Sequence, residues 1–129
     1  MINKKIERFL GIDWGEKRIG LALGDSEIKM AVPFKVVNNL EEILAIIDSE
    51  EIDKIIIGQP LKLSGQYDFP VIFKNFVDSI QKRTNIVVEL IDERLTSKAA
   101  DALIGSKKTK APRDAIAAML ILQSYLDKI

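Results

Sequence analysis

Three consecutive isoleucines, Ile55-Ile56-Ile57, set the strongest constraint on how this chain folds. They sit in Lys54–Gly58, an apolar run with no alternation, which reads as a strand buried on both faces. Helical periods flank it. Leu40, Ile43, Leu44 and Ile47 recur at i, i+3, i+4 and i+7, and Ile72, Phe73, Phe76, Val77 and Ile80 mark a second amphipathic helix. Ile86–Ile91 then supplies another strand. Strand–helix–strand units are right-handed crossovers between parallel strands, so this half of the chain predicts an α/β sheet covered on both sides.

The N-terminal part has a different rhythm. Phe9–Asp13 reads as a short buried strand ending on an acid, and Trp14–Lys17 as a turn. Arg18–Gly24 alternates Ile19, Leu21 and Leu23 with Gly20, Ala22 and Gly24, a strand with one bulky and one bare face. Met30–Val37 completes an antiparallel meander, and Pro33 within it argues for a sheet edge. The first, fourth and fifth strands are expected to run the same way, with the second opposed to the first. Gln59–Pro70 reads as a loop, Thr96–Leu103 as a short helix capped by Thr96, and Ala111–Asp127 as the last helix. That helix is apolar all round over Ala115–Leu122, so it must be covered on more than one side, by the fold itself or by a second subunit. A length of 129 residues fits one domain over 1–129, as a monomer or a homodimer.

Two absences narrow the chemistry. The chain has no Cys and no His, which removes disulfides, thiolate sites, zinc hydrolases and His-based acyl transfer. Any catalysis rests on carboxylates, Lys, Arg, hydroxyls or an oxygen-ligated metal. Nor does the start of the chain, Met1–Arg8, resemble a signal peptide, and no apolar run approaches the ~18 residues of a membrane span. A cytoplasmic location without membrane contact is the expectation.

Open α/β sheets bind ligands outside the carboxyl ends of their parallel strands. That rule selects Asp13 after the first strand, Gly58-Gln59-Pro60 after the fourth and Asp92-Glu93 after the fifth. Asp114, at the start of the last helix, joins them if that helix packs back with its N-terminus toward the same edge. Singly, each acid has an ordinary explanation: a turn residue, a helix-dipole partner or a solvated strand end. Together they form an all-oxygen cluster suited to Mg²⁺ or Mn²⁺. Two such ions, about 4 Å apart, activate water and stabilise the leaving oxygen of a phosphodiester.

The formal net charge of zero hides a polarised chain. Arg94, Lys98, Lys107, Lys108, Lys110 and Arg113 stand against the single acid Asp101 between residues 94 and 113, whereas Asn38–Asp53 carries six acids and no base. The basic stretch flanks the candidate site and suits a phosphate backbone.

Leu10-Gly11-Ile12-Asp13-Trp14-Gly15, with Lys17-Arg18-Ile19-Gly20 and Asp25, resembles the N-terminal hairpin of the YqgF (RuvX) family. Ile91-Asp92-Glu93-Arg94-Leu95-Thr96 is similar to the family's central signature, and Asp114-Ala115-Ile116-Ala117-Ala118 through Leu126 to its C-terminal one. The resemblance implies a ribonuclease H-like fold: a five-stranded mixed sheet in the order 3-2-1-4-5, strand 2 antiparallel, flanked by helices. It implies Asp13, Glu93 and Asp114 as metal-binding catalytic acids and Arg94 as a phosphate contact. Lys17, Arg18, Lys62, Lys107, Lys108, Lys110 and Arg113 complete the expected nucleic-acid surface. Lys62 and Ser64 depart from the Asn and Asp usual in the family's loop after the fourth strand; here Lys62 is expected to meet phosphate.

The expected activity is therefore a metal-dependent endonuclease on structured nucleic acid, in 5′-end maturation of pre-16S rRNA within ribosomal precursor particles. Two alternatives stand beside it: a Holliday-junction resolvase on branched DNA, and an RNA-binding ribosome-assembly factor without turnover. An actin-like ATPase hairpin is set aside, because that architecture needs two such domains around a cleft.

Overall fold

A computed structural model describes residues 5–59, 71–92 and 112–129. The elements run β1 (Arg8–Asp13), β2 (Ile19–Asp25), β3 (Val32–Val37), α1 (Leu40–Ser49), β4 (Lys54–Gln59), α2 (Val71–Thr84), β5 (Val87–Asp92) and α3 (Arg113–Leu126). The sheet order is β3-β2-β1-β4-β5. β1 pairs antiparallel with β2 and parallel with β4; β4 pairs parallel with β5, and β2 antiparallel with β3. The directions follow the expectation from periodicity, and the order is the one that the family resemblance implies.

The isoleucine triplet explains the layering. Ile55 and Ile57 join Leu10, Ile12 and Leu21 beneath α1 and α2, against Ile43, Ile47, Phe73, Val77 and Ile80. Ile56 turns the other way and packs with Phe9 and Ala22 against Ala118, Ile121, Leu122 and Leu126 of α3. All three isoleucines are fully buried. Helices on both faces leave this strand no wet side, so continuous apolarity is what its position demands.

Boundaries move where side chains compete for the backbone. β3 begins at Val32 rather than Met30. Gln123 of α3 accepts the Ala31 backbone N–H at 2.9 Å and donates to the Lys29 carbonyl at 3.1 Å, drawing that segment away from the sheet. Pro33 lies in an edge strand, where the missing N–H is tolerated. β4 extends through Gln59, one residue into the expected loop. α1 starts from Asn39, whose side chain accepts the Glu42 N–H, while the Glu42 carboxylate reaches back to the Asn38 N–H at 2.8 Å. The expected helix Thr96–Leu103 lies outside the described residues.

α3 packs against β1, β2, β3 and β4. Its apolar girth is used on two sides: Ala118, Ile121, Leu122 and Leu126 face the sheet, while Ile116 and Ala117 are buried in a separate cluster with Met119 and Leu120. Among the described residues no helix is long and apolar enough to cross a membrane.

Candidate active site

The bare face of β2 governs the site. Asp13 closes β1, and its register partner across the antiparallel pair is Gly20. Directly over Gly20 lies the first turn of α3: a Cβ there would overlap the Asp114 carbonyl oxygen and come within 2.9 Å of the Ala115 nitrogen. No residue but glycine fits at this position without displacing the helix. Because Phe9 and Gly11 both face α3, strand alternation places Asp13 on the same side. One glycine thus lets the backbone of Asp114 lie over the strand position paired with Asp13, about a hundred positions away in sequence.

Asp13 is half-buried, and the Asp114 side chain is 19% exposed. Arg18, at the end of the β1–β2 turn, meets Asp114 through Nε, 3.2 Å from Oδ2. The turn itself is tight. A Cβ on Gly15 would sit 2.6 Å from the Arg18 carbonyl oxygen. Trp14, adjoining Asp13, packs edge-on against Phe73 of α2 with ring centroids 5.3 Å apart and also touches Phe76. The turn carrying Arg18 is therefore anchored to the helix layer on the opposite face of the sheet from α3. Asp114 stands in the first turn of α3, where the unsatisfied backbone N–H groups and the macrodipole favour negative charge.

The remaining predicted residues fall in three groups. Lys17 is exposed in the turn beside Arg18, and Arg113 is exposed as the first residue of α3, next to Asp114. Asp92 ends β5 at the same sheet edge, in register with Gln59, but Ile91 packs with the α3-side cluster and so Asp92 alternates to the other face. Glu93, Arg94, Lys62, Lys107, Lys108 and Lys110 lie outside the described residues. Among the described residues no three carboxylates converge on one point. The Asp114 backbone lies over Gly20, the strand partner of Asp13, while the Asp114 side chain meets Arg18. Sequence reasoning missed the Arg18–Asp114 pair and the anchoring of Trp14; the only signal for either was their presence in the turn after Asp13.

A five-stranded mixed sheet in the order 3-2-1-4-5, flanked by helices on both faces, defines a ribonuclease H-like fold. Solved structures agree on the fold. Thermus thermophilus RuvC in complex with a Holliday junction substrate matches with a TM-score of 0.64 at 14% identity, covering 94% of each chain. The fowlpox virus resolvase complexed with Holliday junction DNA matches with a TM-score of 0.60 at 13% identity, covering 94% of this chain and 97% of that one. The family model RuvX, described as Holliday junction resolvase, matches residues 7–128, and the chain belongs to that family. Relatives named "Putative pre-16S rRNA nuclease" include one from Maridesulfovibrio salexigens, 36% identical over 92% of this chain and 97% of the relative. Another, from Chloroflexus aurantiacus, is 33% identical over 92% of this chain and 85% of its own.

Proposed function

We propose that this chain, acting as one domain, is a metal-dependent endonuclease cleaving phosphodiester bonds in structured nucleic acid, with the 5′ end of pre-16S rRNA as substrate. The observation that supports this reading is the seating of the Asp114 backbone over Gly20, the strand partner of Asp13. The donor set fits a hard divalent cation, since it is all carboxylate oxygen in a chain without His or Cys. Asp13 and Asp114, with Glu93 as third acid, would hold Mg²⁺ or Mn²⁺. Glu93 is assigned on its place in the central signature. A pair of such ions, held by these acids, would supply a nucleophilic water and would neutralise charge on the leaving oxygen.

The chain's own residues do the rest. The N-terminus of α3 and the bases Lys17, Arg18 and Arg113 hold the phosphate backbone against the acids. Arg94, Lys62, Lys107, Lys108 and Lys110 extend that surface along the nucleic acid. A net charge of zero gives such a protein little affinity for indiscriminate nucleic acid, so recognition rests on this local patch. Junction DNA is the second reading, favoured by the fold shared with RuvC and by the family's description.

One assay separates these readings. Pre-16S rRNA 5′ segments and four-way DNA junctions are incubated with Mg²⁺ or Mn²⁺ and wild-type protein, Asp13→Asn or Asp114→Asn. Cleavage of the rRNA segment by wild type alone is the expected result, and preference for the junction would shift the substrate to DNA. Undiminished cleavage in Asp13→Asn, or in excess chelator, would remove the mechanism. Binding that survives neutralisation of all three acids, without cleavage, would mark an assembly factor instead.

A further inference from the structure

The Arg18–Asp114 pair places a cation on a carboxylate that the proposed function needs for a different cation. We infer that Arg18 is an exchangeable counter-charge: its guanidinium holds Asp114 until a divalent ion takes that carboxylate, and then turns to the phosphate of the nucleic acid. The inference rests on the metal-site reading above and assigns Arg18 a positioning role within it.

Four observations carry it. Asp114 is fixed, because its backbone is lodged over Gly20 and its side chain is 19% exposed. Arg18 is the movable partner, with a side chain 70% exposed. The contact is made through Nε, one edge of a planar group whose terminal nitrogens are additional donors suited to phosphate. Finally, Asp114 is placed over Gly20, the strand partner of the acid Asp13, and Arg18 is the cation that meets its carboxylate there.

Mutual exclusion on Asp114 has a thermodynamic consequence. If metal and Arg18 compete for one carboxylate, then metal binding frees the guanidinium for phosphate, and phosphate binding frees the carboxylate for metal. The two ligands reinforce each other through a single side chain, and the coupling is reciprocal.

The test is a Mn²⁺ titration by calorimetry, with thermal melts in chelator and in Mn²⁺, on the full chain and its variants. Arg18→Ala and Arg18→Gln should bind Mn²⁺ about two- to fivefold more tightly than wild type, the range an exposed ion pair commands. Both should melt lower in chelator and gain more from Mn²⁺, whereas Arg18→Lys, which keeps the charge, should stay close to wild type. In an Asp114→Asn background, removing Arg18 should change neither quantity. A purely structural Arg18 would lower the melting point without tightening Mn²⁺. Equal or weaker binding by both Arg18 variants overturns the exchange while leaving the metal site standing; absence of Mn²⁺ binding by wild type overturns both.

Discussion

The two faces of the sheet are built on opposite principles. Beneath α1 and α2 lie large branched side chains, Leu10, Ile12, Leu21, Ile55 and Ile57, with Ile43, Phe73 and Ile80 above them. Beneath α3 the strands present Gly11, Gly20, Ala22 and Gly24 beside Phe9 and Ile56, and the helix answers with Ala118, Ile121 and Leu122. The first face removes much apolar area from water, which is where hydrophobic stabilisation is greatest. The second gives up side-chain volume so that helix backbone can touch strand backbone. Its gain is position: the first turn of α3, with Asp114, settles over the strand partner of Asp13 only because β2 carries nothing at residue 20.

If that division holds, substitutions on the two faces separate stability from activity. Ile43→Ala, at a fully buried site under α1 and away from the acids, should cost about 2–5 kcal/mol in urea unfolding. Cleavage per folded molecule should be unchanged, and a large drop in specific activity would deny the division. Gly20→Ala should cost less stability, about 1–3 kcal/mol for overpacking. Its cleavage should fall roughly 10²-fold, because a displacement of the order of 1 Å at the reacting groups is enough for that. A Gly20→Ala protein with wild-type turnover would show that α3 need not descend onto β2.

This division also marks what was legible in the residues. Elements and strand directions followed from periodicity, because burial on two faces writes itself as an unbroken apolar run at Ile55-Ile56-Ile57 and a helix packed on one face as i, i+3, i+4 spacing. The strand order came from the family resemblance. The alternation Gly20, Ala22, Gly24 announced a bare face, though not which element would fill it. Asp13 and Asp114 were readable as acids at the ends of elements, since topology alone brings such ends to one sheet edge. The Arg18–Asp114 pair was not readable, because a contact between side chains so distant in sequence leaves no periodic trace. Likewise nothing in the spacing foretold that Gln123 would capture the backbone ahead of β3.

That capture sharpens the contrast further. Where β2 presents Gly20, Ala22 and Gly24 it offers α3 little side-chain area, and polar contacts carry part of the task. Gln123 bonds Ala31 and Lys29 on one side and Asp127 on the other. Gln123→Ala should therefore cost about 1–2 kcal/mol by leaving the part-buried Ala31 N–H unsatisfied. Hydrogen exchange should rise at Ala31 and at the start of β3, while amides of α1 keep their protection. Uniform loosening of both faces would contradict the local role.

The smallest expected effect concerns an acid at the opposite end of the sheet from Asp13. Asp53 precedes β4 and ties it to the start of β1, accepting the Arg8 backbone N–H at 2.9 Å and Lys5 Nζ at 3.3 Å. The Arg8 N–H, foremost, holds the Asp53 carboxyl below its ordinary value of 3.8; Lys5 adds to this and desolvation opposes it. A carboxyl depressed in the folded state contributes stability above its unfolded value and loses it as pH falls through the folded one. Wild type should accordingly exceed Asp53→Asn by about 1 kcal/mol or less at pH 7. The gap should begin to close only below about pH 4, the ordinary range of an Asp carboxyl. Urea midpoints for both proteins at pH 7, 5 and 3 measure it directly. A gap that stays constant down to pH 3 would mean that the Asp53 charge contributes nothing to joining the two strands.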